Sequence, residues 1–281
     1  MRTAIAGAVL VVTLALAACD DGDMIDPSPL PNPAPVGRAI FGVDNANRLI
    51  RFSSTNPSQV SRSVAIAPLA GGETIVGIDV RPAGGGLYAL SSASRVYVVD
   101  TVSGAATPVG AAAFAPVLSG LNHGWDFNPV PDRIRVHGDG GQDLRLNPST
   151  GAVAATDSAL MFAVTDPNAA ATPRIVGTAY TNSVNPAPTT TVLFAIDANL
   201  DMVVRLPNPN DGRLMTVGPL GLNTTGDVGF DIVGTTGEAF ASLTPTGATS
   251  SSLYRISVSG SAGLIGAIGH SMPLRGIAVV P

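Results

Sequence analysis

The stretch Gly77-Ile78-Asp79-Val80-Arg81-Pro82-Ala83-Gly84-Gly85-Gly86-Leu87-Tyr88-Ala89-Leu90 decides the fold. A short alternating strand runs into a Pro/Gly turn, and a second short strand follows. The same grammar returns at Gly124-Trp125-Asp126-Phe127-Asn128-Pro129 with Arg133-Ile134-Arg135-Val136. It returns again at Gly229-Phe230-Asp231-Ile232-Val233-Gly234 with Ala239 to Leu243, and weaker echoes begin at Gly177 and Gly276. Subtracting the positions of the recurring glycine gives intervals of 47, 53, 52 and 47 residues. That is the length of one four-stranded propeller blade, a unit that cannot bury both faces by itself.

Each repeat predicts four strands. After the Gly-x-Asp strand and its hairpin partner comes a third, as in Arg95 to Asp100, Leu144 to Asn147, Met202 to Leu206 and Leu253 to Ser257. A Gly-bearing turn and a fourth strand, such as Ala106 to Val109 or Leu264 to Ile268, complete the unit. The domain opens at Ile40-Phe41-Gly42-Val43-Asp44, a second strand with no first. The chain ends at Gly276-Ile277-Ala278-Val279-Val280, a first strand with no second. The expected fold is therefore an all-β propeller of five four-stranded blades over residues 38–281, closed by pairing the N- and C-terminal strands in one blade. An irregular β-sandwich or an open array are the alternatives, but an array needs polar caps that neither end carries.

The chain has 281 residues, of which 45 % are hydrophobic and 12 % charged, enough for a sizeable core. A net charge of −5 argues against a nucleic-acid partner. All basic side chains are arginine, which removes P-loop and Schiff-base chemistry. Cys19 is the only cysteine. It follows an uncharged apolar run from Ala4 and ends Leu16-Ala17-Ala18-Cys19, which resembles a bacterial lipobox. The resemblance implies a signal peptide at 1–18, lipid on Cys19, and a mature protein anchored to the bacterial cell envelope on its extracytoplasmic side. An ordinary secretory peptide with a chance cysteine leads to the same side of the membrane. Residues 19–37, acidic and then proline-rich, read as a tether.

Asp79, Asp126 and Asp231 share the third position of the Gly-x-Asp strand, where the other two repeats have Ala179 and Ala278. In a radial arrangement these strands lie nearest the axis. The three carboxylates are a candidate calcium site; alternatively each accepts backbone N–H bonds and pins its own turn. Arg51, Arg145, Arg205 and Arg255 recur on the third strand, and pairing with the recurring aspartates is expected. His123 and Trp125, at the start of an inner strand, are candidate binding residues, although a lone histidine there is more often a solvated turn residue. Asp44-Asn45-Ala46-Asn47, Asp139 to Asp143 and Asp197 to Asp201 read as Asx turns. No Gly-x-Ser-x-Gly elbow, Ser-x-x-Lys pair or histidine metal motif is present.

The run from Gly124 to Pro129, with Pro131-Asp132-Arg133-Ile134-Arg135-Val136, Gln142-Asp143-Leu144-Arg145-Leu146-Asn147-Pro148 and Thr150-Gly151, resembles an uncharacterised bacterial family of secreted, propeller-like domains of unknown function. That family's signature reads Gly-Phe-Asp-Phe-Asn-Pro, and Trp125 here replaces the first phenylalanine. The resemblance covers about residues 38–281. It implies fold and extracytoplasmic address, and it transfers no activity. The reading is a lipid-anchored binding or scaffolding module with an unknown protein or glycan partner. A calcium-assisted propeller hydrolase, of lactonase or esterase type, would use the axial carboxylates with His123 as base. A cell-envelope spacer with a plugged channel is the third reading.

Overall fold

All six residues of Ile75–Val80 are buried, and so are all six of Ile175–Tyr180. Arg62–Ala65, Val153–Thr156 and Ala262–Ala267 are by contrast partly or fully exposed along their length. Stacking sheets around an axis produces this gradient. An innermost strand is covered on both faces by its neighbours, and an outermost strand keeps an edge in water. The computed structural model describes residues 37–281. The expected signal peptide 1–18, Cys19 and all of the expected tether but Gly37 lie outside the described residues.

Five sheets form the five blades. Blade 1 contains β1 (Ala39–Asp44), β2 (Arg48–Ser53) and β3 (Arg62–Ala65). Blade 2 is β4 (Ile75–Val80), β5 (Leu87–Ser91), β6 (Arg95–Val99) and β7 (Ala106–Val109). Blade 3 is β8 (His123–Asn128), β9 (Arg133–Gly138), β10 (Asp143–Leu146) and β11 (Val153–Thr156). Blade 4 has a short β12 (Met161–Phe162), then β13 (Ile175–Tyr180), β14 (Leu193–Asp197), β15 (Met202–Leu206) and β16 (Arg213–Pro219). Blade 5 is β17 (Thr224–Ile232), β18 (Ala239–Pro245), β19 (Ser252–Ile256) and β20 (Ala262–Ala267). The last strand, β21 (Leu274–Val279), returns to blade 1 as its inner strand. It pairs antiparallel with β1, Ile40 opposite Val279 and Gly42 opposite Ile277. The N- and C-terminal segments thus close the ring as the sequence implied. The addition to the predicted plan is β12, which pairs parallel with β16 as a fifth strand on the edge of blade 4.

Five apolar clusters fill the gaps between blades. Four of them draw side chains from both neighbours, for example Ile40, Phe52, Phe240 and Ile277 between blades 5 and 1. The gap between blades 3 and 4 differs: its cluster, with Tyr180, Leu193, Val204 and Leu214, comes from blade 4 and the loop before it. The strand register explains the asymmetry. Gly124 opposes His137 and Asp126 opposes Arg135, while Asp143 opposes His137 and Arg145 opposes Arg135. Those residues all share one face of blade 3, and that face is polar. The other face carries Trp125, Phe127, Ile134, Val136, Leu144 and Leu146 against blade 2.

The recurring glycine lets inner strands approach closely. A Cβ on Gly229 would stand 2.4 Å from the Ile277 nitrogen, and one on Gly124 would stand 2.0 Å from Thr178 Oγ1. The recurring arginines depart from the expected pairing with the Gly-x-Asp aspartates. Arg145 holds Asp157 through two bonds of 2.7 and 2.9 Å, and Arg255 reaches Glu238 at 2.7 Å. The reason is radial distance: the aspartates are on the innermost strands and the arginines are two strands further out. Asp44 and Asp197 form the expected Asx turns, accepting from Ala46 and Arg48 and from Asn199 and Leu200. Asp139 differs, accepting from Leu121 and Asn122 in the loop that leads into β8.

Candidate functional site

The inner strands β4, β8, β13, β17 and β21 run in the same sense, from a leading face to a trailing face of the disc. Asp79, Asp126 and Asp231 lie near the trailing ends. All three are buried, and one carboxylate oxygen from each lies within 4.8 Å of the others.

The hydrogen bonds show why three aspartates serve five blades. Four of the inner strands direct an N–H to an axial carboxylate: Val80, Phe127, Ile232 and Val279. Asp79 accepts from its own neighbour Val80 at 2.7 Å and from Phe127 on the next blade at 2.8 Å. Asp231 likewise accepts from Ile232 at 2.6 Å and from Val279 on the next blade at 2.5 Å. Both follow a blade with alanine at the equivalent position, Ala278 or Ala179, so each must serve two N–H groups. Asp126 follows a blade that has an aspartate, so Phe127 is already satisfied, and the backbone group nearest to serve Asp126 is the Tyr180 N–H on the next blade. Its Oδ1 is buried and has no partner. Backbone acceptance is thus what Asp79 and Asp231 do, each within its own strand and across to the next blade.

Crowding and burial act in one direction on the triad. Burial, then the Asp231 charge, raises the Asp79 pKa well above the ordinary carboxyl range. Burial, then the charges of Asp79 and Asp231, does the same to Asp126, and burial lifts Asp231 to about 6. Tyr180 on β13 is the other titratable group facing them, and β21 presents Ala278. Because the folded carboxyls hold protons more tightly than unfolded ones, which titrate near 3.9, their contribution to stability is full below about pH 4. It is lost as pH rises through 6 and beyond. Urea unfolding in EDTA is expected to give a lower midpoint at pH 8 than at pH 5, and Asp126→Asn is expected to shrink that difference. An unchanged difference in the variant would show that the triad does not set the pH response.

At the leading end, His123, Trp125, Thr178 and Arg275 line a narrow axial space with the strand glycines. His123 is 5 % exposed, not solvated, and burial pushes its imidazole below the usual value. Both its ring nitrogens lack hydrogen-bond partners, as do Trp125 Nε1 and Arg275 Nε. Trp125 packs into the apolar cluster between blades 2 and 3, its ring edge-on to Phe127 at 6.3 Å. His123 and Asp126 are three positions apart on one strand, roughly 10 Å, so the structure does not bring them together. A small recess of about 20 Å³ at the trailing end is lined by Asp79, Asp231, Ser183, Gly234 and Pro281.

Sequence reasoning passed over Arg135. Its side chain is buried between blades 3 and 4. Nη1 donates to Asp143 and Asp157, both at 2.6 Å, Nη2 to Asn210 at 2.7 Å and Nε to the Tyr180 hydroxyl at 3.3 Å. Beside it, His137 Nδ1 lies 3.0 Å from Thr178 Oγ1. In the sequence, the alternation Ile134-Arg135-Val136-His137 reads as a strand with one wet face.

Among solved structures, the chain is similar to a chain of a nidogen/laminin complex at 12 % identity, covering 87 % of this chain and 99 % of that one, with a TM-score of 0.49. It is similar to BBS1N, solved in complex with ARL6DN, at 13 % identity and TM-score 0.40, covering 79 % of this chain and 59 % of that one. Myxococcus xanthus glutaminyl cyclase matches at 11 % identity and TM-score 0.42, covering 73 % and 89 %. No curated protein matches in sequence. Residues 48–278 match the family described as a domain of unknown function, DUF4394, and the chain belongs to that family.

Proposed function

We propose that this chain is a lipid-anchored, extracytoplasmic propeller that serves as a binding or scaffolding module, engaging a protein or glycan partner through the leading face of the disc. The observation that carries this reading is where the exposed apolar side chains and long connections fall. The two longest connections between blades, residues 110–122 and 157–174, both reach the leading ends of inner strands. They present Val117, Leu121 and Val164 at 63, 80 and 88 % exposure. Large apolar side chains held in water on a rigid scaffold mark a surface that another molecule covers. The axial carboxylates support this reading over a hydrolase. His123, the base a hydrolase would need, stands roughly 10 Å away at the other end of the strand.

Two experiments on cells test the reading. Cys19→Ser is expected to move the protein from the membrane to the soluble extracytoplasmic fraction; continued membrane attachment would refute the anchor. A photo-crosslinking residue placed at Leu121 or Val164 is expected to capture a discrete partner, and one at Val102 or Val258, on the trailing face, is not. Equal capture from both faces, or none from either, would refute the assignment of the surface. Turnover of lactones or esters that disappears in Asp126→Asn would move the reading to a hydrolase.

A further inference from the structure

We propose that Asp79, Asp126 and Asp231 together hold one divalent cation of the calcium type, and that this ion completes the closure of the propeller ring. The inference does not depend on the binding-module reading.

Three observations converge. First, one carboxylate oxygen from each of the three lies within 4.8 Å of the others. Three oxygens spread evenly around one calcium at about 2.3–2.6 Å stand about 4.0–4.5 Å apart, so a set bounded by 4.8 Å needs at most a small inward movement to hold one ion. Magnesium, at about 2.1 Å, requires a tighter set. Second, the hydrogen-bond pattern ends one partner short. Four axial N–H groups are shared between Asp79 and Asp231, and Asp126 Oδ1 is left buried with nothing to accept from. An orphaned carboxylate oxygen in a dry site costs free energy unless a cation or proton meets it. Third, the recess walled by Asp79 and Asp231 opens toward the trailing face between Ser183 and Pro281. At about 20 Å³ it holds about one water molecule, so an ion there would be held mainly by the three carboxylates.

The consequence concerns closure. Val279 lies on β21, the strand that joins the two ends of the chain, and its N–H is held by Asp231. Without a counter-ion, Asp231 shares the axis with two other carboxylates, and their repulsion bears on that joint. A cation among the three turns the repulsion into a tie between blades 2, 3 and 5, with blade 1 attached through Val279.

The test uses the full chain solubilised in detergent, stripped with EDTA and dialysed. Terbium serves as a calcium probe, because the single tryptophan of the chain adjoins Asp126 and sensitises its emission. Expected are saturable terbium luminescence at one ion per chain, displacement by calcium, and a Tm that climbs with calcium concentration above Kd. Asp126→Asn should remove both signals. It retains an oxygen for the Tyr180 N–H, so the far-ultraviolet spectrum should be unchanged. Trp125→Phe should keep the calcium shift in Tm and lose most of the luminescence, which locates the ion even if Asp126→Asn folds poorly. No luminescence and no Tm shift at millimolar calcium would overturn the proposal. So would an undiminished response in folded Asp126→Asn, which would place the ion in a surface Asx turn.

Discussion

Arg135→Leu is expected to destabilise the protein by about 3–5 kcal/mol, the usual loss when one partner of a buried ion pair is removed. The guanidinium is the cationic partner shared by two carboxylates, Asp143 with 0 % and Asp157 with 7 % side-chain exposure. Leucine fills part of the volume but leaves Asp143 without its positive neighbour. Asp143 Oδ2 already lacks a partner, and His137 Nε2 stands 3.5 Å from Oδ1, beyond a good hydrogen bond. Asp157 keeps Arg145, so the damage centres on Asp143 and on the two groups of blade 4 that Arg135 holds, Tyr180 and Asn210. Urea unfolding of the wild type, Arg135→Leu and the double variant Arg135→Leu/Asp143→Leu separates two effects. The double variant should recover much of the loss, because an apolar pair in place of a buried ion pair is often neutral or stabilising. A single-variant cost under about 1 kcal/mol would mean that water reaches this interface and screens the charges.

That interface also shows what the sequence does and does not reveal. The ring was legible because each repeat supplies its own strands and turns, and because Ala39–Asp44 reads as a second strand and Leu274–Val279 as a first. The axial triad was legible as a position, since Asp79, Asp126 and Asp231 recur at one step after the glycine. Their partners were not legible. A carboxylate that bonds Val80 at its own position and Phe127 about 48 residues on does so only once five inner strands converge. Arg135 and His137 were hidden by the period-two rule itself. Alternation of Ile134, Arg135, Val136 and His137 specifies two unlike faces, and water is the ordinary expectation for the charged one. In a propeller both faces of a blade meet a neighbour, so the same pattern here means a buried polar interface. The counterpart in sequence lay far away, in Tyr180, Thr178 and Asn210 of blade 4. None of these stands out by composition or spacing.

Gly229→Ala is expected to cost about 2–4 kcal/mol, combining overpacking of about 1–3 kcal/mol with a weakened axial hydrogen bond of about 1 kcal/mol. The added Cβ would sit 2.4 Å from the Ile277 nitrogen and 2.7 Å from the Gly276 carbonyl carbon. Both are backbone atoms of β21, so no side-chain rotation relieves the clash, and the inner strand of the closing blade must move out. That motion pulls Val279 from Asp231, the bond that ties blade 5 to the closing strand. Gly276→Ala meets its nearest atom, the Ile78 nitrogen, at 3.0 Å, and a shift of a few tenths of an ångström accommodates it. Gly84→Ala, in the turn after β4, meets nothing within 4 Å and should change stability by no more than about 0.5 kcal/mol. Hydrogen exchange gives the readout that a general loss of stability would not. In Gly229→Ala the amides of β21 and β1 should exchange faster than those of β8 and β9, because the joint between the chain ends opens before the rest of the ring. Uniform acceleration across all five blades would show instead that the ring opens as one unit and that Gly229 has no privileged link to closure.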